Sequence, residues 1–278
     1  MATIKPSFST EKIKEYFKKY RNIKFKTGTY NIAGIVTIYS GTTVNCEPGV
    51  IFKRTCRYQM FETEASETSL EYNAAHDITW NGGTFLASTR EEDAIVIVIY
   101  HAKNITFNNI TVDGCRGYHS IECNSSQNVR IENSTFKNQT SIEGAPYREA
   151  IQIDFAYQLG YPYRGTVNAP ANDGTHCKDI TIVNCTFENV PNGIGTHTVS
   201  KTADFHENIT IENCTFKNVE RYGIQLQGMK NVTIRNCPTA VIAVQKRNQA
   251  HKLNGDKVDL TKPRYNLNVT IDDNIIVN

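Results

Sequence analysis

The chain has 278 residues, of which 39% are hydrophobic and 21% are charged. This composition can fill a continuous core, and no apolar run approaches the ~20 residues that a membrane-spanning helix needs. A net charge of +2 without a basic run argues against binding to nucleic acid or another polyanion.

The first predicted element is a short helix that starts at Ser9-Thr10-Glu11 and continues to about Tyr20. Its apolar residues recur at helical spacing and form one stripe: Ile13, Tyr16 and Phe17. Because the first turn of a solenoid must be covered, residues 1–22 are predicted to form an N-terminal cap.

From residue 23 to residue 278 the chain repeats a short β-rich unit. The clearest copy, residues 208–216, reads Asn-Ile-Thr-Ile-Glu-Asn-Cys-Thr-Phe, and related copies occur at residues 77–85, 104–112, 128–136, 179–187, 231–238 and 268–273. A unit of roughly 20–30 residues with strand-like alternation is typical of a β-solenoid. The sequence therefore predicts an all-β, right-handed parallel β-helix that forms a single domain over residues 1–278. The last strand ends beside Asn278 without a recognisable cap, which favours a truncated chain or a C-terminal partner domain.

Stacking the copies aligns equivalent residues into columns. An asparagine column marks a corner, since Asn tolerates left-handed backbone geometry and its amides can hydrogen-bond at about 4.8 Å spacing: Asn109, Asn133, Asn184, Asn213 and Asn236. A second column places Cys185, Cys214 and Cys237 inside. Eight cysteines would suggest disulfides in a small secreted domain, but the repeat position favours buried free thiols.

The strand before each asparagine corner has an unusual outward face. Its inward residues align as Ile97, Ile121, Ile151, Ile194, Ile224 and Ile242. Two outward columns accompany them: Tyr100, Asn124, Asp154, His197, Gln227 and Gln245 in one, and Val98, Glu122, Gln152, Gly195, Gln225 and Ala243 in the other. An inert exterior would be rich in Lys, Glu and Thr, whereas these columns hold short hydrogen-bonding groups. We expect a shallow, solvent-exposed groove.

Long insertions flank this predicted groove. Residues 155–176 directly follow Asp154, residues 198–206 follow His197, and residues 139–149 lead into the Asp154 strand. Insertions of this length in a compact scaffold usually carry function. The first contains aromatic side chains suited to stacking on sugar rings: Tyr157, Tyr161 and Tyr163. A loop that packs on its own aromatic residues is the alternative.

Asp154 and Glu122 are the leading pair of acids. Glu122 lies one strand before Asp154 and two residues back, so their Cα atoms are predicted to be about 8 Å apart. This spacing falls in the range of about 6.5–9.5 Å that leaves room for the attacking water in inverting glycoside hydrolysis. Glu149 and Asp173 are rival second acids, and His197 is predicted to lie about 5 Å from Asp154.

The chain resembles the pectate-lyase-like β-helix superfamily, and within it the polygalacturonase-type hydrolases and phage tailspike depolymerases. Residues 26–30, Lys-Thr-Gly-Thr-Tyr, resemble the first turns of such proteins. Residues 149–154 resemble the strand that carries an acidic catalytic residue in polygalacturonases, and residues 193–197 are similar in place to their Gly-His-Gly segment. The chain departs from that pattern in lacking a paired-Asp motif and an Arg-x-Lys motif. The resemblance implies catalytic roles for Asp154 and His197 but does not support galacturonate as the substrate.

These features predict an enzyme that degrades a bacterial surface or extracellular polysaccharide, an inverting glycoside hydrolase in which Asp154 and Glu122 share acid and base work. Tyr100, Asn124, Gln152, Gln225, Gln227 and the three loop tyrosines are its predicted sugar contacts. The alternative is a glycan-binding adhesin without catalysis, and a lyase is less favoured because the outward columns lack a Lys or Arg base.

No cofactor, metal, nucleic-acid or membrane partner is predicted, and a homotrimer is possible by analogy with tailspikes. The amino terminus does not read as a signal peptide. An extracellular or virion-associated location would then require release by lysis or a trimmed signal.

Overall fold

The computed structural model describes residues 1–88, 95–143, 148–156, 173–196, 205–238, 240–244, 267–271 and 276–277. It confirms the predicted parallel β-helix. One helix, α1 (Thr10–Lys19), and 24 strands occur in the described part of the chain.

The strands are short and follow one another in an almost regular cycle. The first twelve are β1 (Ala2–Ile4), β2 (Asn22–Phe25), β3 (Gly28–Ile32), β4 (Val36–Ile38), β5 (Thr43–Cys46), β6 (Val50–Arg54), β7 (Phe61–Thr63), β8 (His76–Asn81), β9 (Thr84–Leu86), β10 (Ile97–Tyr100), β11 (Lys103–Asn108) and β12 (Thr111–Asp113). The others are β13 (Ile121–Asn124), β14 (Gln127–Glu132), β15 (Thr135–Lys137), β16 (Glu149–Asp154), β17 (Lys178–Val183), β18 (Thr186–Gly195), β19 (His206–Glu212), β20 (Thr215–Leu226), β21 (Met229–Arg235), β22 (Val241–Val244), β23 (Leu267–Ile271) and β24 (Ile276–Val277).

These strands stack in parallel into three long faces. Sheet A contains ten strands in the order β1-β2-β5-β8-β11-β14-β17-β19-β21-β23. The other sheet has two limbs. Limb B runs from β3 through β6, β9, β12 and β15, and limb C runs from β4 through β7, β10, β13 and β16. Strands β18 and β20 extend through both limbs, and a register shift between Val190 and Asn192 marks the bend.

Helix α1 closes the N-terminal end of the core. Ser9 caps it, since its hydroxyl accepts a hydrogen bond from the Lys12 N–H at 3.3 Å. Ile13 and Phe17 are fully buried, and the Phe17 ring lies 6.1 Å from that of Trp80. The apolar stripe of the sequence therefore packs against the first turns, and the helix ends at Lys19, one residue before the predicted end.

The interior is built from the predicted inward columns. Phe187 stacks between Phe136 at 5.2 Å and Phe216 at 4.9 Å. The six aligned isoleucines pair from strand to strand with no slip in register. The predicted thiol column is confirmed, because Cys185, Cys214 and Cys237 are free and buried.

The asparagine corner is confirmed as well. All five predicted residues have φ between 48° and 55°, the left-handed region. Within this corner, Asn184 Nδ2 donates to Asn133 Oδ1 at 3.1 Å and Asn236 Nδ2 donates to Asn213 Oδ1 at 2.7 Å.

Two further ladders occur at other corners, and the sequence analysis missed them. One consists of two hydrogen-bonded runs, the first through Asp77, Asn104 and Asn128 and the second through Asp179, Asn208, Asn231 and Asn268. The other joins Asp113, Asn138, Asn189 and Asn218. Their signal was present in the repeat, since an Asn or Asp opens most copies and an Asn follows several of the Phe positions by two residues.

Candidate functional site

The candidate site lies on the outer face of limb C, where the two predicted columns meet. Asn124 is in register with Tyr100 on one side and with Asp154 on the other. Glu122 is in register with Gln152, which in turn aligns with Gly195 and Gln225. The predicted alignment is therefore confirmed for these residues, and Glu122 lies diagonally across the strands from Asp154.

The predicted open groove is wrong for the centre of this face. Glu122 and Asp154 are each 1% exposed, Asn124 is 0% exposed and Gln152 is 4% exposed. Tyr100 and Gln225 are also buried, and among the described residues of the two columns only Gln227 is partly exposed.

A second layer of side chains explains part of this burial. Val98 and Tyr100 form a small apolar cluster with Ile95 and Ala156, against which Ala65 and Tyr118 pack. Val98 and Tyr100 belong to β10, but the other four residues lie outside the strands and cover this part of the outer face of limb C. The Tyr100 backbone N–H also donates to Thr63 Oγ1 at 3.0 Å, which ties this strand to β7.

Four side chains form an acid–amide square: Glu122, Asn124, Gln152 and Asp154. On β13, Asn124 Nδ2 donates to Glu122 Oε1 at 2.9 Å. On β16, Gln152 Nε2 donates to Asp154 Oδ2 at 2.5 Å. Acid and amide thus exchange places between adjacent strands, and each carboxylate is held by an amide two residues away.

Asp154 is oriented at both oxygens. Its Oδ1 accepts the N–H of Phe155 at 2.8 Å, and its Oδ2 accepts the Gln152 amide. Because both oxygens act as acceptors, the contacts fit an ionised carboxylate.

Asn124 is oriented through its nitrogen. In the structure Nδ2 donates to Glu122 Oε1, which places the amide oxygen Oδ1 on the other side. No hydrogen-bond donor of the described chain reaches this oxygen, although it is fully buried. A buried acceptor of this kind usually has a partner, and losing one costs about 1–3 kcal/mol.

Glu149 lies beside the square and not in it. It is the first residue of β16, three residues before Gln152, where it is in register with Asn192 and 2% exposed. The His119 ring nitrogen Nδ1 is 2.7 Å from the Glu149 carbonyl oxygen, to which it donates, and 3.8 Å from Glu149 Oε2.

Gly195 makes room for the Glu149 side chain. A Cβ atom at Gly195 would lie 3.2 Å from Glu149 Cγ and 2.8 Å from the Gln225 carbonyl oxygen. The Glu149 side chain therefore lies against the backbone of Gly195 on the face of limb C. The sequence analysis noted Gly195 only as a member of a column and missed His119 altogether.

Asp173, the other rival acid, has a structural environment. Its Oδ2 accepts the Glu71 N–H at 2.7 Å and the Thr175 hydroxyl at 2.7 Å, while Oδ1 accepts the Thr175 N–H at 2.9 Å. Desolvation opposes ionisation, but these hydrogen bonds outweigh it and lower the pKa of Asp173. A carboxyl held ionised by three donors is poorly suited to act as a general acid.

The segment around Asp173 is attached to distant parts of the chain. Tyr72 donates to the His176 carbonyl oxygen at 2.9 Å, and Ser125 Oγ donates to the Thr175 carbonyl oxygen at 2.6 Å. The chain that returns from the long insertion is therefore fixed next to the end of β13.

An aromatic contact supports the strand end on the other side. The ring of Phe155, directly after Asp154, lies 4.4 Å from that of the buried His206. His206 Nδ1 accepts the Cys177 N–H at 3.0 Å, and the Cys177 thiol donates to the Asp154 carbonyl oxygen at 3.3 Å. These contacts fix the backbone at Asp154 from the interior side of the strand.

The remaining predicted site residues lie outside the described residues. They are His197, Tyr157, Tyr161 and Tyr163. Strand β16 ends at Asp154, directly before the predicted insertion, whereas β18 ends at Gly195, two residues before His197.

A family model for glycosyl hydrolases family 28 matches residues 9–248, which include the whole acid–amide square. The chain belongs to this family. Membership agrees with the resemblance to polygalacturonase-type hydrolases seen in the sequence.

One curated relative of this family 28 chain is a bacterial binding protein. The chain is 26% identical over 252 residues to plasmin and fibronectin-binding protein A of Streptococcus pneumoniae, covering 77% of this chain and 34% of that protein. The chain thus spans about a third of the length of this curated relative.

Solved structures support the fold. The surface adhesin PfbA of Streptococcus pneumoniae superposes with a TM-score of 0.76 at 22% identity, over 99% of this chain and 70% of the adhesin. A family 28 exopolygalacturonase of Yersinia enterocolitica superposes with a TM-score of 0.54 at 12% identity, over 99% of this chain and 65% of the enzyme.

Among the residues that the structure describes, no three His, Cys, Asp or Glu side chains are grouped so that they could hold a metal ion. The described part also contains no helix that is long and apolar enough to span a membrane.

Proposed function

We propose that this protein is a glycoside hydrolase that cleaves a bacterial surface or extracellular polysaccharide. The observation that carries the proposal is the diagonal pair Asp154 and Glu122 within the acid–amide square, in a chain of glycosyl hydrolases family 28. Strand spacing puts their Cα atoms about 8 Å apart, which suits two carboxyl groups on opposite sides of a glycosidic bond.

The proposed reaction is an inverting displacement. Asp154, whose two oxygens act as acceptors, takes a proton from a water molecule as that water attacks the anomeric carbon. Glu122 gives its proton to the glycosidic oxygen, and the bond between that oxygen and the anomeric carbon breaks. The products are two shorter sugars, and proton exchange with solvent restores both carboxyl groups.

The other residues of this proposal bind and orient the sugar. Gln225 and Gln227 lie on the same face, two turns after the Asp154 strand, and can accept hydrogen bonds from hydroxyl groups or donate to them. Two further roles stay predictions from the sequence. His197 is expected to hydrogen-bond a sugar hydroxyl, and the tyrosines at positions 157, 161 and 163 are expected to stack on sugar rings.

Product analysis on a panel of bacterial polysaccharides tests this function. We expect the unmodified chain to release new reducing ends from at least one polysaccharide, and Asp154→Asn to lower turnover by about 10²- to 10⁴-fold with binding retained. Asp113→Asn is the matched control, because Asp113 is an acid of a surface ladder that only accepts from Asn138 and pairs with Lys137.

The second acid is tested separately. Glu122→Gln should lower turnover by a similar factor, and Glu149→Gln should not. The reverse result would transfer the role to Glu149, which lies on the same face. Near-normal hydrolysis by Asp154→Asn would refute the catalytic assignment as a whole.

A glycan-binding adhesin is the second candidate function. It is favoured by the 26% identity to plasmin and fibronectin-binding protein A and by the departures from the polygalacturonase motifs. An adhesin would retain polysaccharide binding in Asp154→Asn and release no reducing ends in either form. Either function suits a surface or extracellular location, and the virion-associated alternative stays a prediction.

A further inference from the structure

The segment between β7 and β8 lies beside the acid–amide square, and we call its residues 64–74 the strap. Near its start, Ala65 packs against the apolar cluster that contains Val98 and Tyr100. These two residues occupy the same outward columns as the square, on the strand that precedes it. The start of the strap therefore covers the turn next to the square.

The end of the strap is held by three hydrogen bonds to other turns of the solenoid. The Glu71 N–H donates to Asp173 Oδ2 at 2.7 Å, and the Glu71 carbonyl oxygen accepts from His101 Nδ1 at 2.8 Å. The Tyr72 hydroxyl donates to the His176 carbonyl oxygen at 2.9 Å. These bonds fasten the strap along the edge at which β10 and β13 end.

The backbone at this edge is strained. Apart from Asn and Asp, the non-glycine residues of the described chain with positive φ are Glu71 at 48°, His101 at 44° and Ser125 at 46°. All three meet here, since His101 contacts Glu71, and Ser125 Oγ donates to the carbonyl oxygen of Thr175, whose hydroxyl donates to Asp173. Left-handed backbone is unfavourable for such residues and persists where surrounding contacts impose it, often at clamps and switch regions.

The burial of the square requires something to open. Glu122 and Asp154 are each 1% exposed, yet the function proposed above needs both carboxyl groups to contact a polysaccharide. We propose that the strap opens to expose the square to the polysaccharide, and that the hydrogen bonds of Glu71 and Tyr72 set the population of the open state. The inference rests on the proposed function and adds control of access to the same site.

Three measurable quantities should then change together. When the closed and open states exchange rapidly, hydrogen exchange of the strap amides is proportional to the open population. The labelling rate of a buried carboxyl group and the apparent affinity for a polysaccharide depend on the same population. Weakening the bonds of the strap should therefore raise all three quantities by one factor.

Tyr72→Phe is the weakening variant, because it removes the hydroxyl and keeps the ring. In the whole chain we expect hydrogen exchange of residues 69–74, measured by mass spectrometry, to rise about 3- to 10-fold. Labelling of Glu122 and Asp154 by glycine ethyl ester and a water-soluble carbodiimide should rise by the same factor. So should kcat/KM for a polysaccharide that the protein cleaves.

Glu71→Gly should act in the opposite direction. Glycine adopts φ 48° without strain and leaves both backbone hydrogen bonds of this residue in place, so the closed state becomes more favourable. We expect strap exchange and carboxyl labelling to fall about 2- to 5-fold. Because the two variants have opposite expected signs, the test does not depend on either one alone, and circular dichroism checks that each folds.

Tyr30→Phe is the matched control. The Tyr30 hydroxyl also donates to a backbone carbonyl oxygen, that of Lys26 at 2.6 Å, in the first turns of the solenoid. This variant should leave strap exchange and the labelling of the square as in the unmodified chain. The partly exposed Asp113 carboxyl group is the internal reference, and it should be labelled equally in every form.

The outcomes separate the inference from the function. Faster strap exchange without faster labelling of Glu122 and Asp154 would overturn the inference, as would equal changes in Tyr72→Phe and Tyr30→Phe. Faster labelling with unchanged kcat/KM would show that the sugar reaches the square by another route. Labelling that follows strap exchange, with no polysaccharide bound or cleaved, would refute the proposed function alone and leave the strap as a cover that opens.

Discussion

The outer faces of sheet A and limb C are built on the same backbone but have opposite character. On sheet A, outward residues of adjacent strands form a partly exposed ionic row, in which Glu207 lies 3.1 Å from Lys178 and 2.6 Å from Lys230. On limb C, the equivalent alternation produces an acid–amide square that is at most 4% exposed. Alternation determines which way a side chain points. It does not determine whether that side chain meets water.

This difference has energetic consequences. Ion pairs in contact with solvent contribute about 0–1 kcal/mol each, because water and salt screen them. A buried polar group that loses its partner costs about 1–3 kcal/mol. On sheet A the stabilising free energy should therefore be spread over many weak contacts. On limb C a single substitution should lower the free energy of unfolding by more than one on sheet A does.

Adding one methyl group to limb C should give the largest of the effects on stability. In Gly195→Ala the new Cβ would lie 2.8 Å from the Gln225 carbonyl oxygen and 3.2 Å from Glu149 Cγ, so the backbone of adjacent strands must shift and the Glu149 side chain must give way as well. We expect the free energy of unfolding to fall by about 1–3 kcal/mol, measured by urea titration.

Gly34→Ala is the matched control for that change. A Cβ at Gly34 would meet only the Lys14 side chain, nearest at its ammonium group at 3.2 Å, and a flexible side chain can move away. Equal losses in the two variants would mean that limb C is not packed more tightly than the surface of the cap.

The asparagine corners should give an intermediate effect. Asn184 has φ 55° and donates to Asn133 at the corner after β17. Asn184→Ala should lower the free energy of unfolding by about 1–2 kcal/mol, because Ala is strained in the left-handed region and the hydrogen bond is lost.

Asn184→Gly separates these two causes. Glycine adopts the left-handed region without strain, so we expect it to retain more stability than alanine in the same urea titration. If the glycine variant is the less stable of the two, the corner does not depend on backbone geometry.

The repeat made the interior of the molecule predictable from sequence. The isoleucine column, the thiol column and the corner at Asn184 follow from local alternation and from residues that recur at fixed places. The diagonal relation of Glu122 and Asp154 follows from the same alignment. Such features depend on neighbours on adjacent turns, and the sequence repeat shows which residues these neighbours are.

The cover of limb C could not be predicted in this way. Ala156 reaches Val98 and Tyr100 across 56 to 58 positions, and Asp173 binds the Glu71 N–H across 102 positions. These contacts join non-repeating segments, for which the sequence has no equivalent copies to compare. The one clue was Gly195, whose missing side chain indicates that something else occupies its space.

The ionic row on sheet A should give the smallest effect, and it depends on pH. The Lys230 ammonium, with help from Lys178 and His176, lowers the pKa of Glu207 to about 2 against the opposing effect of burial. The pKa of this group is 4.5 when unperturbed, so the folded state holds the ionised form more tightly than the unfolded state does. Its contribution is therefore complete above about pH 4.5 and is lost as the pH falls towards 2.

Replacing Glu207 by Gln should remove this pH dependence. Because water screens the half-exposed lysines, we expect Glu207→Gln to lower the free energy of unfolding by less than ~1 kcal/mol at neutral pH and to flatten its decline between pH 4.5 and pH 2. Glu212→Gln is the control, since the Glu212 carboxylate lies farther from its Arg235 partner, at 3.7 Å. The same flattening in both variants would show that acid sensitivity on sheet A is shared along the face, and the ionic row at Glu207 would then have no special place in the contrast with limb C.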